Sequence, residues 1–214
     1  MSGRITPGEQ DVLIVIDVQN DFCPGGGLAV PRGDEVVPLI NRLAARFPHV
    51  ILTQDWHPAD HLSFASAHAG KQPFETVEAP YGSQILWPDH CIQGAPGADF
   101  HAGLATVKAE LVLRKGFRRG IDSYSAFYEN DRKTATGLSG YLRERSLGNL
   151  YLAGLAFDFC VYYSAEDGHR EGFAVCVIKD ACRAIDMNGS AATAKAQLGA
   201  HGVACIGAAD ILGH

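Results

Sequence analysis

The chain has 214 residues, of which 47% are hydrophobic and 20% charged, and its formal net charge is −6. This composition is typical of an ordinary globular protein of one large domain, and the negative charge argues against a nucleic-acid or anionic-membrane surface. No apolar stretch approaches the roughly 20 residues of a membrane helix, and the polar start MSGRITPGEQ lacks a signal-peptide core, so we expect a cytoplasmic protein. The six cysteines form no CxxC pair, which indicates reduced thiols rather than disulfides or a structural zinc module.

Short apolar runs alternate with helical patterns along the chain. Strands are predicted at residues 11–18, 50–53, 110–115, 149–155, 173–179 and 203–206, and helices at 34–47, 134–147, 158–171 and 188–201. Near-continuous apolar strands that alternate with helices indicate a parallel sheet covered on both faces. We therefore predict an α/β fold, a single doubly wound domain over residues 1–214.

One segment departs from this alternation. Residues 57–99 are rich in histidine, proline, glycine and aromatic side chains. Structureless stretches longer than about 12–15 residues in a compact domain are usually functional loops or lids. We therefore expect this long loop to contribute to a functional site.

Reactive side chains follow four of the predicted strands at the point where each strand ends. Asp17 ends the first strand, Asp55 and His57 follow the second, Lys115 ends the third, and Cys160 follows the fourth. Ligands of open parallel sheets bind at the carboxyl ends of the strands. The sequence therefore predicts a functional site at this edge of the sheet.

Cys160, Asp17 and Lys115 allow two interpretations each. A cysteine at a helix start is favoured as a thiolate and has N–H groups nearby for an oxyanion, yet many such cysteines are merely small buried residues. Asp17 and Lys115 could form a structural ion pair, or a base and a cation that activate the thiol. Their shared position at one sheet edge favours the catalytic interpretation.

Asp55 and His57 lie two positions apart, so an extended backbone points both side chains to one face. A carboxylate and an imidazole on one face suit a divalent metal ion, although a D-x-H pair alone is more often an ordinary polar loop. The long loop offers a third ligand in His61, His68 or His90, with Cys91 as an alternative soft ligand.

Aromatic side chains near this edge suit a flat substrate. Phe22 and Trp87 lie in loops that contain glycine or proline, and they could stack on a ring. The glycine-rich stretch at 23–27 lacks both nucleotide-binding patterns, so we interpret it as a tight turn beside a pocket.

Five segments together are specific: IDVQNDFCPGG, TQDWHPADHLSFAS, LWPDHCIQGAPGADF, DSYSAF and GLAFDFCV. With them the chain resembles the nicotinamidase/pyrazinamidase branch of the isochorismatase-like cysteine hydrolases. The resemblance implies a six-stranded parallel sheet with helices on both faces. It also implies hydrolysis of nicotinamide to nicotinate and ammonia, and of pyrazinamide to pyrazinoate, through a cysteine thioester in NAD salvage.

The resemblance implies roles position by position. Asp17, Lys115 and Cys160 match the catalytic triad, and the backbone N–H groups of Ala156 and Cys160 match the oxyanion hole, which follows a cis peptide between Leu155 and Ala156.

The same resemblance implies a cofactor and a substrate site. Asp55, His57 and His90 match ligands of one divalent metal ion, with zinc expected and iron or manganese as alternatives, while the part of His61 stays open. Phe22 and Trp87 match the residues on either side of the pyridine ring. The partners are small molecules, and self-association into a homo-oligomer stays open.

Phe157 departs from the family pattern, which commonly has threonine or serine there, and this puts the support of Asp158 in question. Two alternatives remain. One is another amide or ureido hydrolase of the same superfamily, which typically lacks the metal ligands. The other is a non-catalytic α/β binding protein.

Overall fold

The structure is a computed structural model that describes residues 4–213. Its strands are β1 Asp11–Ile16, β2 His49–Asp55, β3 Thr76–Ala79, β4 Gly82–Ile85, β5 Leu111–Lys115, β6 Asn149–Leu155, β7 Ala174–Arg183 and β8 Ala204–Ile206. Its helices are α1 Val36–Ala44, α2 Leu138–Glu144, α3 Tyr162–Arg170, α4 Ser190–Ala200 and α5 Ala209–Leu212.

Six strands form one parallel sheet in the order β5-β2-β1-β6-β7-β8, which confirms the predicted fold class. The central strand β1 is buried from Val12 to Ile16, as expected for a strand covered on both faces. The direction of strand succession reverses between β1 and β6, the place where doubly wound sheets open a crevice for ligands. Among the described residues, no helix is long and apolar enough to cross a membrane.

The predicted long loop is partly structured. Strands β3 and β4 pair as an antiparallel hairpin within it, so the expectation of a structureless stretch was wrong for these residues. The side chains of these two short strands alternate only weakly between buried and exposed, so the sequence shows no strong apolar alternation that would predict a strand.

Helix boundaries also differ from the sequence prediction. Helix α2 begins at Leu138 rather than at residue 134, because Gly137 before it has a φ of 102° and interrupts the helical backbone. Helix α3 begins at Tyr162, and a π-helical turn over Phe157–Val161 occupies the predicted first turn. Cys160 therefore lies in this turn rather than in regular α-helix.

Candidate active site and metal centre

Lys115 joins three reactive groups at the end of β5. Its Nζ lies 2.8 Å from Asp17 Oδ2, 2.5 Å from Asp55 Oδ1 and 3.4 Å from Cys160 Sγ. It also donates to the carbonyl of Ser123 at 2.9 Å. The structure thus brings Asp17, Lys115 and Cys160 together, because the ends of β1, β5 and β6 converge at one sheet edge.

The two oxygens of Asp17 differ in their surroundings. Oδ1 accepts a hydrogen bond from Thr53 Oγ1 at 2.6 Å, and Asp17 N–H donates back to the same hydroxyl at 3.2 Å. Oδ2 is buried and is in ion-pair contact with Lys115, but it accepts no well-aligned hydrogen bond from any residue in the described range 4–213. Oδ2 is therefore the oxygen that remains available to accept a proton.

Burial controls the ionisation of these groups. Burial raises the pKa of the Cys160 thiol well above its usual value, although Lys115 opposes the effect. Burial also raises the pKa of Asp17, again against the influence of Lys115. The pKa of Lys115 is raised well above its usual range, because Asp17 and Asp55 outweigh the opposing effect of burial. The thiol is thus the resting form of Cys160 and needs a base. The position beside a helix start had suggested a thiolate, so the sequence interpretation underestimated this need.

Asp55, His57 and His90 form a second cluster beside Lys115. All three are buried, and one ligand atom from each lies within 4.8 Å of the others. Both histidines direct Nε2 toward Asp55 Oδ2, at 3.6 Å for His57 and 3.9 Å for His90. Since Asp55 Oδ1 contacts Lys115, this carboxylate connects the two clusters.

The donor set fits a divalent metal ion. His57 Nδ1 lies 2.8 Å from Gly116 O, and His90 Nδ1 lies 2.8 Å from Pro88 O, so each ring donates through Nδ1 and leaves the Nε2 lone pair free. Burial lowers the pKa of His90 to about 4, which favours the neutral imidazole that metals bind, whereas Asp55 raises the pKa of His57 against the effect of burial. Two imidazoles and one carboxylate suit zinc, iron or manganese.

Gly116 is required where it stands. Its φ is 64°, and a Cβ atom there would lie 2.3 Å from Cε1 of His57. A residue without a side chain lets the His57 ring approach the backbone carbonyl that orients it.

His61 and His68 have other partners. His61 Nδ1 lies 2.7 Å from Ser63 Oγ, and its Nε2 lies 3.0 Å from Arg118 O and 3.2 Å from Ile121 O. His68 Nε2 lies 2.7 Å from Leu62 O. Although His61 lies close to His57 and Asp122, two carbonyl acceptors already occupy its Nε2. The geometry favours His90 as the third ligand.

A pocket opens between these clusters and contains about 330 Å³ of space not filled by protein atoms, part of it open to solvent. Its lining includes the predicted Phe22 and Trp87 together with Asp55, His90, Ala156 and Cys160, and also Leu28, Asp122, Tyr124, Phe159 and Ile185. The predicted aromatic residues, the metal-ligand candidates Asp55 and His90, and the nucleophile candidate Cys160 therefore face one space. The peptide between Leu155 and Ala156 is cis, as the resemblance implied.

One polar residue of the pocket wall, Asp122, and its partner Gln84 were missed by the sequence interpretation. Asp122 Oδ2 accepts a hydrogen bond from Gln84 Nε2 at 2.9 Å, and Trp87 Nε1 donates to Tyr124 OH at 3.1 Å. The DSYSAF segment pointed to this region, but only its similarity to the family did so, since no spacing links Gln84 to Asp122.

Asp21 and the glycine-rich turn brace the pocket. Asp21 accepts hydrogen bonds from Gly27 N at 2.9 Å and from Cys91 N at 2.7 Å. A Cβ atom at Gly26 would lie 2.4 Å from the Asp21 backbone, which explains the glycine there. These bonds join the turn to the segment that carries His90, as expected for a tight turn beside a pocket.

Phe157 does not leave Asp158 without support. Asp158 accepts hydrogen bonds from Ile185 N at 3.0 Å, Asp186 N at 2.8 Å and Ser190 Oγ at 2.5 Å. The hydroxyl common in the family at position 157 is therefore not needed to fix this carboxylate.

Residues 11–210 match the profile of the Isochorismatase domain family. The chain belongs to the isochorismatase family. Among relatives of this family, it is 52% identical to a nicotinamidase from Acinetobacter baylyi over 209 residues, which cover 98% of each chain.

Solved structures of isochorismatase-family members share the fold. A nicotinamidase/pyrazinamidase from Acinetobacter baumanii has a TM-score of 0.94 and 53% identity, over 95% of this chain and 98% of that one. PnC1 of L. infantum in complex with nicotinate has a TM-score of 0.85 and 36% identity, over 97% and 98% of the two chains. A pyrazinamidase of Pyrococcus horikoshii in complex with zinc has a TM-score of 0.76 and 30% identity, over 92% and 99%.

Proposed function

We propose that this chain is a nicotinamidase, an amidohydrolase that converts nicotinamide to nicotinate and ammonia and also accepts pyrazinamide. One observation carries the proposal. Lys115 contacts the nucleophile candidate Cys160, the base candidate Asp17 and the metal-ligand candidate Asp55 at once, beside a pocket walled by aromatic rings. The curated and solved relatives named above support the same substrate class. Released nicotinate would enter pyridine-nucleotide salvage.

The first half-reaction acylates Cys160. Asp17 Oδ2 accepts the thiol proton, and the sulfur attacks the carboxamide carbon. The carboxamide oxygen becomes an oxyanion, which accepts hydrogen bonds from the backbone N–H groups of Ala156 and Cys160. The C–N bond then breaks, and the proton on Asp17 passes to the leaving amine, which departs as ammonia. A thioester on Cys160 remains.

The second half-reaction restores the thiol. Asp17 takes a proton from water, the resulting hydroxide attacks the thioester carbon, and the C–S bond breaks. The sulfur recovers its proton and nicotinate leaves. Lys115 offsets the negative charge that passes between Asp17 and Cys160 in both halves, because its Nζ contacts both side chains.

Asp55, His57 and His90 would hold one divalent metal ion, with zinc expected and iron or manganese as alternatives. When bound, the ion supplies a Lewis acid for the ring nitrogen, which would orient the carboxamide toward Cys160. The residues of the pocket do the rest of the positioning. Phe22 and Trp87 would enclose the ring, and the segment 57–99 would contribute Trp87 and two of the three metal ligands.

Replacement of the nucleophile tests the proposed function. Cys160→Ala should reduce ammonia release from nicotinamide by at least about 10⁴-fold, because it removes the thiol whose Sγ lies 3.4 Å from Lys115 Nζ. Nicotinate binding should change little, since the pocket walls stay in place. Cys176→Ala, a strand cysteine outside the pocket, is the control and should keep full turnover.

Two results would contradict the proposal. One is substantial turnover by Cys160→Ala. The other is a wild-type protein, loaded with zinc, iron or manganese, that releases ammonia from ureido compounds but not from nicotinamide, which would indicate a different hydrolase of the family.

A further inference from the structure

Thr53 lies on β2, next to the strand that carries Asp17, and it is fully buried. Its hydroxyl makes two contacts with one residue: it donates to Asp17 Oδ1 at 2.6 Å and accepts from Asp17 N–H at 3.2 Å. Asp17 has a φ of 46°, which turns its backbone away from the regular strand where β1 ends. Thr53 therefore fixes both the backbone and the side chain of the proposed base through hydrogen bonds.

The hydroxyl can do this in one way only. A threonine hydroxyl has a single hydrogen, and an N–H group can only donate. Since Asp17 N–H points at Oγ1, the hydroxyl hydrogen must point at Oδ1. This bond occupies Oδ1 and turns Oδ2 toward Lys115, where it lies 2.8 Å from Nζ without an aligned hydrogen bond.

We infer that Thr53 is a positioning residue that selects Oδ2 of Asp17 as the proton acceptor for Cys160. The inference rests on the proposed amide hydrolysis. A buried carboxylate without this anchor could rotate and present either oxygen to Lys115, and the fraction of molecules with a base aligned on the thiol would fall. Thr53 does not touch the pocket, so it should affect the chemical step and leave ring binding unchanged.

Two replacements at Thr53 separate this role from simple packing. Thr53→Val keeps the shape and removes the hydroxyl, whereas Thr53→Ser keeps the hydroxyl and removes a methyl group. For nicotinamide hydrolysis we expect Thr53→Val to lower kcat by about 10- to 100-fold, a part of the roughly 10²–10⁴-fold that general acid–base catalysis contributes, because Asp17 itself stays in place; KM should change by less than about 3-fold. Thr53→Ser should stay within about 3-fold of wild type in kcat.

Thr136 offers a matched control. Its hydroxyl also donates once, to Ala126 O at 2.6 Å, and accepts once, from Leu138 N at 3.2 Å, but it does not contact the triad. Thr136→Val likewise removes one donated and one accepted hydrogen bond, but in another part of the fold. It should lower the melting temperature without changing kcat. If Thr53→Val does not fold, Thr53→Ala removes the same hydroxyl and replaces it in the comparison.

A second measurement does not depend on the substrate. Alkylation of Cys160 by iodoacetamide, followed by peptide mass spectrometry, reports how readily its thiol is deprotonated. We expect the rate to fall about 10-fold in Thr53→Val and to stay near wild type in Thr53→Ser and Thr136→Val. If the wild type does not hydrolyse nicotinamide, the proposed function fails, while this rate still tests the role of Thr53.

Several outcomes would overturn the inference. They are a kcat of Thr53→Val within about 2-fold of wild type, an equal loss in Thr53→Ser, an equal loss in Thr136→Val, or a loss confined to KM. An unchanged alkylation rate in Thr53→Val would overturn it as well.

Discussion

Lys115 places one positive charge among two buried carboxylates. When both carboxylates are ionised, this group of three carries one net negative charge, and burial makes such a charge costly. A divalent cation beside Asp55, His57 and His90 would offset that charge. The metal and the triad are therefore expected to stabilise each other through Asp55.

Removal of His57 tests whether Asp55, His57 and His90 are the metal ligands. His57→Ala should weaken metal binding by more than about 100-fold, because even residues that only orient a ligand are worth about 10- to 100-fold. Metal content after dialysis measures the effect. His61→Ala and His68→Ala should keep one ion per chain, since carbonyl groups already accept from both rings.

Two results would contradict this ligand assignment. A His57→Ala variant with full metal content and an unchanged KM would remove His57 from the set. Loss of the ion in His61→Ala would add His61 to it.

The reactive residues could be predicted from sequence because their types are unusual where they occur. Charged Asp17 and Lys115 end apolar strands, and this contrast is visible without a structure. Thr53, Gln84 and Asp122 gave no such signal, because each is an ordinary polar residue whose partner lies far away in the chain. Thr53, for example, contacts a residue 36 positions earlier, on the neighbouring strand.

Strands β1 and β6 must approach closely for the triad to form, because Asp17 follows the end of β1 and Cys160 follows the end of β6. Ile16 pairs with Gly154, and a Cβ atom at Gly154, which has a φ of 125°, would lie 2.1 Å from Ile16 O. The glycine thus lets the chain reach Cys160 beside Asp17. The six strands of the parallel sheet were predicted from apolar runs, whereas the starts of α2 and α3 were not, because a glycine and a π-helical turn interrupt the helical pattern locally.

Gly154→Ala should therefore be costly. We expect a loss of about 3 kcal/mol or more in the free energy of unfolding, from backbone strain and from overlap with Ile16 O. Gly140→Ala is the control, since Gly140 lies in α2 with nothing within 4 Å of an added Cβ, and it should stabilise by about 0.5–1 kcal/mol. Urea unfolding measures both, and equal effects of the two substitutions would show that Gly154 is not needed for the close approach of β1 and β6.

At the scale of the whole molecule, the strand order brings chemistry from distant parts of the chain to one crevice. The switch between β1 and β6 places Asp17 within 4.8 Å of Cys160, and β2 and β5 add Asp55 and Lys115 next to them. The alternation of strands and helices predicted this architecture. It could not predict the β3–β4 hairpin, whose short polar strands bury little surface.

Ammonia release from nicotinamide before chelation, after chelation, and after single metals are added back tests most directly whether this chain is a metal-dependent nicotinamidase. We expect rapid release by the metal-loaded protein, a loss of at least about 100-fold in kcat/KM on chelation, and recovery with zinc, iron or manganese. The chelated protein should lose turnover although its Cys160 thiol remains present and free to react. Full activity without any metal, or no ammonia from nicotinamide with any of the three, would contradict this proposal.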